Sequence, residues 1–442
     1  MTQRTFFDIG FTHANRREVV AGFCGGRISS DGGLPLLRQV NMKLKLIDRL
    51  AACAREWRDP LRVEHTLPQL FAQRSFAIAC GYEDGNDQLT LRDDPLFQLC
   101  AAKPGKRLAS PATVSRFENK CIGRRELIEM QGVFVRTFLD SYKRPPKEIV
   151  LDFDSSDIEL HGNQEKKFFH GYYDHHCYLP LYIYCGDHLL SAWLRPANID
   201  NAKGSLIALK LLVKLIRKRW PKTKIIVRAD SGFTRDWLLD WCENNEVGYI
   251  TGLAKNSRLK QFSADMLAAA EAEYEAGGVK GRVIGSFEYA TLDSWSTPRR
   301  VIARIEHTAK GANPRYVVTN LEGEAEYLYE KVYCARGEME NRIKEQQRQM
   351  FGSRTSCHDF LANQLRVTLA AAGYTLVKQM QRLALKGTEL ENAEAGTLRV
   401  KLLKIGAQIE VTARRFVLKL SSYFPRQELF KLAARRLAHD TT

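Results

Sequence analysis

The chain has 442 residues, enough for two or three domains with cores of their own, and its 44% hydrophobic content excludes a chain dominated by disorder. Its 67 Lys and Arg outnumber 51 Asp and Glu, a formal charge of +16 that points to a polyanion and first of all to nucleic acid, because basic side chains neutralise phosphates and release counterions. Export and membrane insertion are not expected: the start MTQRTFFDIGFTHANRREVV lacks an apolar run, and the longest apolar stretches are broken by lysine, as in LIALKLLVKLIRK.

In chain order, residues 1 to about 145 carry helical punctuation and no obvious strand alternation, in GGLPLLRQV, TLPQLFAQRSFAIACGY and SPATVSRFENK. Ser110 and Pro111 stand where an N-cap and a first-turn proline would start a helix. A helical domain over 1–145 is expected, closed by Lys143-Arg144-Pro145-Pro146-Lys147 as a linker. Strand-like runs follow at 148–154, within 168–185 and at 188–194, predicting an antiparallel meander. From 203 to 219 the period becomes helical, with Leu209, Leu212, Leu215 and Ile216 on one side and Lys203, Lys210, Lys214, Arg217 and Lys218 on the other. KIIVRAD reads as a strand, a helix capped by Thr234 opens at about 234, and VGYITGLA reads as another strand. Residues 260–322 hold further strand signals, VIGSFEYAT, RRVIARIEH and RYVVTNL, and a long helix is predicted from about 324 to 350. The end of the chain from Arg399 is basic, with ten Lys or Arg against three Asp or Glu. Ten scattered cysteines form no C-x-x-C pair, so they read as thiols in a reducing compartment; the spacing of His170, His175, His176, Cys177, Cys185 and His188 fits no familiar zinc motif.

Three antiparallel strands, then alternating helices and strands, then a final helix is the element order of the ribonuclease H-like fold, an α/β class. In such sheets, side chains at the carboxyl ends of central strands meet in one crevice. Asp154 closes the first strand in LDFDSSD and Asp230 closes the fourth in IIVRADSGF. Asp152, two residues before Asp154 on the same face, is its rival, and Asp157 belongs to the turn. A third acid is offered by the late helix, where Tyr333, Arg336, Glu340 and Lys344 share one stripe; Glu338 lies off it. Alone, that ladder reads as a solvated face with surface ion pairs; the order strand-Asp, strand-Asp, helix-Glu along the fold reverses that reading. Residues 201–228 hold nine Lys or Arg and no acid, a surface expected to track DNA through Lys210, Lys214, Arg217 and Lys218.

The motifs LDFDSSD, VRADSGF and YCARGEMEN resemble the three acidic motifs of DDE transposases of bacterial insertion sequences, in the branch marked by Y-x-x-R-x-x-x-E. The likeness is closest to the 1380 group, through HGNQ at 161–164, YYDHHCYLPLYIY and RYVVTNL. It covers roughly 145–385. The resemblance implies that Asp154, Asp230 and Glu340 are catalytic and hold Mg²⁺, with Mn²⁺ as substitute, for phosphodiester hydrolysis and strand transfer. It implies that Tyr333 and Arg336 contact the phosphate beside the scissile bond. The branch's later basic residue falls here on Gln347, leaving Lys344 or Arg348 to take that role. Trp295 in the loop DSWSTPRR is a candidate for stacking on a flipped base, with Arg299 and Arg300 on phosphates, although an unremarkable hairpin tryptophan satisfies the sequence as well. The expected organisation is a helical DNA-binding domain (1–145), a ribonuclease H-like core (146–259 and 323–385) split by a β-rich insertion (260–322), and a helical basic tail (386–442). The expected partners are double-stranded DNA, as terminal inverted repeats and target, and a second copy of the chain in the DNA complex. A cytoplasmic, nucleoid-associated location follows from this. A nuclease or resolvase without strand transfer, or a silent DNA-binding relative, are the alternatives.

Overall fold

The computed structural model describes residues 9–120 and 122–438. Its contacts divide the chain into two units: Met1–Ile122 with Gln349–Phe351 and Leu369–Thr442, and Gly123–Arg348 with Gly352–Thr368.

The first unit opens with a hairpin that the sequence does not announce, β1 (Ile9–Ala14) and β2 (Arg17–Ala21), antiparallel. Neither strand has a buried face, so no apolar alternation marks them; Asn15 and Arg16 turn the chain at positive φ. After β3 (Ile28–Ser29) the chain from 34 to 120 forms helices and their connections. Helix Leu67–Cys80 starts in a full capping box between Thr66 and Gln69 and is buried almost all round. Helix Pro111–Lys120 begins where Ser110 accepts the Thr113 amide, and buries Val114, Phe117 and Glu118, the last paired with buried Arg74 at 2.6 Å.

The second unit begins earlier than the Lys143–Lys147 segment anticipated as a linker. Helix Arg124–Asp140 belongs to it: Val135, Phe138 and Leu139 enter the sheet core, and Gln131 accepts from Ser191 and Ala192. Its apolar period was legible, but period alone does not say which core a helix covers.

The strands here are β4 (Glu148–Ser155), β5 (Ile158–Glu159), β6 (Phe168–His170), β7 (His175–Tyr178), β8 (Leu181–Cys185), β9 (His188–Trp193), β10 (Lys224–Ala229), β11 (Gly248–Leu253), β12 (Gly281–Tyr289), β13 (Arg299–Thr308) and β14 (Gly311–Thr319). Eight of them form one sheet in the order β12-β13-β14-β11-β10-β4-β8-β9. The three central strands, β11, β10 and β4, are parallel, and their neighbours on both sides are antiparallel. β4, β8 and β9 are the expected meander; β5, β7 and β6 form a separate small sheet between β4 and β8. The strands of 260–322, anticipated as an insertion domain, instead extend the core sheet through the β14–β11 ladder. Val317 and Val318 alternate into opposite core clusters, so this segment has no separate core of its own.

One sheet face packs on helices Arg124–Asp140, Ser205–Arg219 and Asp236–Asn244 through Ile149, Leu151, Phe153, Ile225, Val227 and Ala229. The other carries Ile226, Ile250 and Val317 against Leu328 and Tyr329. The long helix expected from 324 to 350 is a chain of short segments: α at Ala325–Tyr327, π at Leu328–Tyr333, 3₁₀ at Cys334–Arg336, α at Gly337–Lys344 and π at Glu345–Gln349. Such changes of winding recur at functional sites because they re-aim side chains.

The last part of the first unit is not purely helical. β15 (Ala407–Val411) pairs with β16 (Phe416–Leu420) and with β3, before helix Gln427–Ala438. A Cβ on Gly33 would stand 1.9 Å from the Leu402 carbonyl, so Asp31-Gly32-Gly33 is a close backbone crossing. Fully buried Asp31 pairs with Lys404 at 2.8 Å and accepts from the Tyr82 hydroxyl at 2.8 Å.

Candidate active site

Strand parity builds the site. On β4, Val150, Asp152 and Asp154 point to the face opposite Ile149, Leu151 and Phe153. β10 is in register beside it, with Ile226 opposite Val150, Arg228 opposite Asp152 and Ala229 opposite Phe153. Extending that register by one residue sets Asp230 beside Asp154. Three rows result: an apolar row, an ion-paired row and a row of two acids.

Two strand residues advance about 6.6 Å and four helical residues about 6 Å, so a helix lying along the strands can answer each row in turn. Leu328 and Tyr329 cover the apolar row. Over the middle row, Arg228 makes two bonds to Asp152, at 2.5 and 2.8 Å, and donates to the Val332 carbonyl at 2.5 Å. Over the acid row lies Arg336, donating to Asp154 at 3.1 Å and to Glu340 at 2.8 Å. Tyrosines of β8 fix the next turns: Tyr184 donates to the Arg342 carbonyl and buried Tyr182 to Gln346.

The two aspartates on β4 stand in different surroundings. Asp152 is committed to Arg228, and burial still pushes its carboxyl up against that partner. Asp154 is pushed up to about 7, first by burial, with Asp230 and Glu340 adding repulsion against the opposing pull of Arg336. Burial works against the Arg336 charge, yet Asp154, Tyr333, Asp230 and Glu340 together raise its pKa. The sequence-predicted residues Asp154, Asp230, Tyr333, Arg336 and Glu340 therefore share one electrostatic neighbourhood. Glu340 keeps 48% of its side chain exposed, whereas Glu338 is more exposed still and paired with Arg342. Asp230 also caps the turn Ser231–Phe233 by accepting from the Gly232 amide.

The Tyr333 ring is largely buried, and burial raises its hydroxyl pKa. A Cβ on Gly252 would stand 2.8 Å from that hydroxyl and 2.9 Å from the Ser231 amide, so glycine is what allows β11, the turn after Asp230 and Tyr333 to meet. Several contributors escaped the sequence reading. Buried Arg195 donates to the Ser155 hydroxyl at 2.7 Å and to three carbonyls, fixing the residue after Asp154; burial lowers its pKa to about 10. Gln347 donates to the Asp157 carbonyl and accepts from Ser156, and Asp157 pairs with His175 at 2.9 Å. No local pattern marks Arg195 in LRPANID; only the sheet brings it to Ser155.

The structure corrects the phosphate and stacking assignments in the segment 295–300. Arg299 is 2% exposed and ion-paired with Asp236, Asp240 and Glu243, so it holds helix Asp236–Asn244 to β13 and cannot reach a phosphate. Trp295 is partly buried, with Arg299 over its ring and Tyr289 at its edge, so it is not a free stacking platform. Arg300 donates to the Leu321 carbonyl. Among the basic residues of helix Ser205–Arg219, Lys210, Lys214 and Lys218 are exposed, while Arg217 donates to the carbonyls of Asn245 and Glu246 at a helix end. Lys344 and Arg348 are exposed. Thr234, placed near a helix start, instead donates to Thr251 and to the Gly252 carbonyl.

Hard carboxylate oxygens suit a divalent cation such as Mg²⁺. Among the described residues no three acidic, His or Cys side chains stand close enough to hold one as they are. A guanidinium already sits between Asp154 and Glu340, and Asp154 is pushed up first by its burial and then by the charges of Asp230 and Glu340, which the one arginine does not offset. The donor chemistry fits a cation, provided Arg336 yields.

The fold and the acid row define a class. The family model for the transposase DDE domain group 1 matches residues 11–442, and the chain belongs to that family of DNA-cleaving transposases. No curated protein matches the chain. Among solved structures it is similar to a piggyBac transposase synaptic complex with hairpin DNA, determined by cryo-EM, at 11% identity and a TM-score of 0.42, over 92% of this chain and 80% of that one. No helix among the described residues is long and apolar enough to cross a membrane.

Proposed function

We propose that the chain is the transposase of an insertion sequence of the 1380 group, cutting the ends of its element and joining them to target DNA. The observation that carries this is the acid row: Asp154 and Asp230 side by side at the carboxyl ends of parallel strands, with Glu340 joined to Asp154 through Arg336. The order β9-β8-β4-β10-β11, with only β8 antiparallel to its neighbours, supports a ribonuclease H-like core.

Asp154, Asp230 and Glu340 would hold Mg²⁺ or Mn²⁺, which when bound supplies activation of the attacking oxygen and charge relief at the leaving oxygen. The chain's own residues do the rest. Arg336 leaves the carboxylates for the phosphate beside the scissile bond, where its planar fork matches paired oxygens. Tyr333, whose hydroxyl lies against Gly252, offers that hydroxyl to the same phosphate. Arg228 and Asp152 keep that segment seated by gripping the Val332 carbonyl. Exposed Lys344 and Arg348 take the basic role that Gln347 cannot, since Gln347 is bound to Ser156 and Asp157. Lys210, Lys214 and Lys218 track flanking DNA. Recognition of the terminal repeats is assigned to the unit that holds helix Pro111–Lys120, and a dimer brings two ends together.

The test is a two-stage assay with inverted repeats taken from the DNA flanking the gene, offered uncut and pre-cleaved. The reading expects Asp154→Ala to abolish both cleavage and joining while DNA binding remains. Cleavage without joining of pre-cleaved ends would favour a nuclease or resolvase; full activity of the variant would overturn the assignment.

A further inference from the structure

Between β4 and β8 the small sheet β5-β7-β6 leaves the main sheet directly after Asp154, and its β6–β7 hairpin carries a run of rings that the catalytic reading does not use. Phe169 lies edge-on to His176 across the strands, 5.6 Å between centroids. Tyr173 stands 5.0 Å from His170, 6.0 Å from His175 in a stacked arrangement, and 5.0 Å from Tyr172. Tyr172 is 85% exposed at the turn, and Phe168 and Phe169 are exposed on β6. At the inner end Tyr173 is partly buried against Cys177, Leu179 and Ala197. His175 meets Asp157, which Gln347 also touches. The rings thus run from the His175–Asp157 pair, three residues beyond Asp154 in the chain, out to water.

A buried structural role does not account for Tyr172, which is 85% exposed, or for the exposed parts of Phe168 and Phe169. Basic side chains flank the rings: Lys166 lies over Phe360, Lys167 donates to the Gly162 carbonyl, and His170, His175 and His176 stand on the two strands, with Asp174 the one acid in the turn. Alternating rings and basic groups match an unpaired nucleotide chain: aromatic faces stack on bases, and cations meet the phosphates between them. The chain's net charge of +16 favours the same occupant.

We propose that the hairpin of β6 and β7 is a stacking platform for unpaired bases of the DNA end held at Asp154, with Tyr172 as the outer ring and Phe169 beside it. This rests on the transposase reading and adds to it a place for the bases released when the duplex opens at the cut. It also moves the stacking role from Trp295, which is packed away, to rings that water already reaches.

The experiment uses the full chain with two DNA probes made from the flanking inverted repeat, one blunt and one with a short single-stranded tail containing 2-aminopurine. The wild type is expected to bind the tailed probe about fivefold to a hundredfold more tightly than the blunt one and to quench its fluorescence. Tyr172→Ala should lose both the preference and the quenching, Tyr172→Trp should keep both, and blunt-duplex affinity should be unchanged in each. Equal affinity for both probes, or quenching that survives Tyr172→Ala together with Phe169→Ala, would overturn the platform while leaving the transposase reading intact. Failure of the wild type to bind even the blunt duplex at low salt would overturn both.

Discussion

Two arginines of the second unit stand among acids, and they come out oppositely. Arg299 meets Asp236, Asp240 and Glu243 from one helix; its side chain is 2% exposed, and burial is outweighed by Glu243 and Asp236, which raise its pKa. Asp240 is held below the usual carboxylate range by its bond from Ser296, then by Arg299 against burial. Arg336 also meets acids, yet Asp154 beneath it is pushed up to about 7. The difference lies in where the carboxylates stand. Those around Arg299 are partly open to water and each accepts a bond from it, whereas Asp154 is buried and shares its one guanidinium with Glu340. A satisfied cluster fixes structure; a cluster short of positive charge is poised to take more, which is how catalytic sites tend to differ from structural ion pairs.

The comparison breaks most visibly by deleting each arginine. Arg299→Ala strands three acids around an empty centre and is expected to cost about 3 kcal/mol, less than a wholly buried network because the acids touch water, read as a fall in the urea midpoint. Arg336→Ala should leave the midpoint within about 1 kcal/mol at pH 7, since Asp154, already pushed up to about 7, can take a proton and Glu340 is half open to water, while lowering end cleavage by about a hundredfold or more. Equal stability losses would erase the distinction. Gly252→Ala sharpens it from the other side: its Cβ would press on the Tyr333 hydroxyl and the Ser231 amide at under 3 Å, with an expected cost of about 1–3 kcal/mol and a matching loss of cleavage. A variant of wild-type stability and activity would show that the meeting of β11 with Tyr333 is dispensable.

The smallest effect is set by pH. Asp154 ionises less readily folded than unfolded, so its contribution to stability is fully present below the ordinary carboxylate range near 4 and is lost as pH rises to about 7. Asp154→Asn, which copies the protonated group, is therefore expected to melt higher than the wild type at pH 8 in chelator, with the gap closing towards pH 4. A gap that widens as pH falls would reverse the sign and the account of the site with it.

How much of this the sequence disclosed depends on whether the cause was local. Asp154 and Asp230 stand out because acids interrupt apolar strands, and Glu340 because its stripe also holds Tyr333 and Arg336. The meander β4-β8-β9 and helix Ser205–Arg219 follow from strand and helix periods. What stayed hidden is set by pairing across long separations. Arg195 reaches Ser155, and Gln347 reaches Ser156, only once the sheet forms. The strands of 260–322 carry the period of any strand, and nothing local says that β14 lies beside β11. Arg299 looked like a phosphate ligand because a cation in a Trp- and Pro-containing loop offers no sign that three acids of a helix more than fifty residues earlier surround it. The π and 3₁₀ turns of 328–349 likewise answer to contacts with β8 and β10, not to helix propensity.

The central claim is that Asp154, Asp230 and Glu340 form one cation site from which Arg336 withdraws. Titration of Mn²⁺ into the DNA-free chain, followed by electron paramagnetic resonance, tests it without reference to turnover. The account predicts saturable binding that is lost in Asp154→Asn and Glu340→Gln and tightened in Arg336→Gln, where the competing cation is gone. Unchanged binding in the two carboxylate variants, or weakened binding in Arg336→Gln, would contradict it.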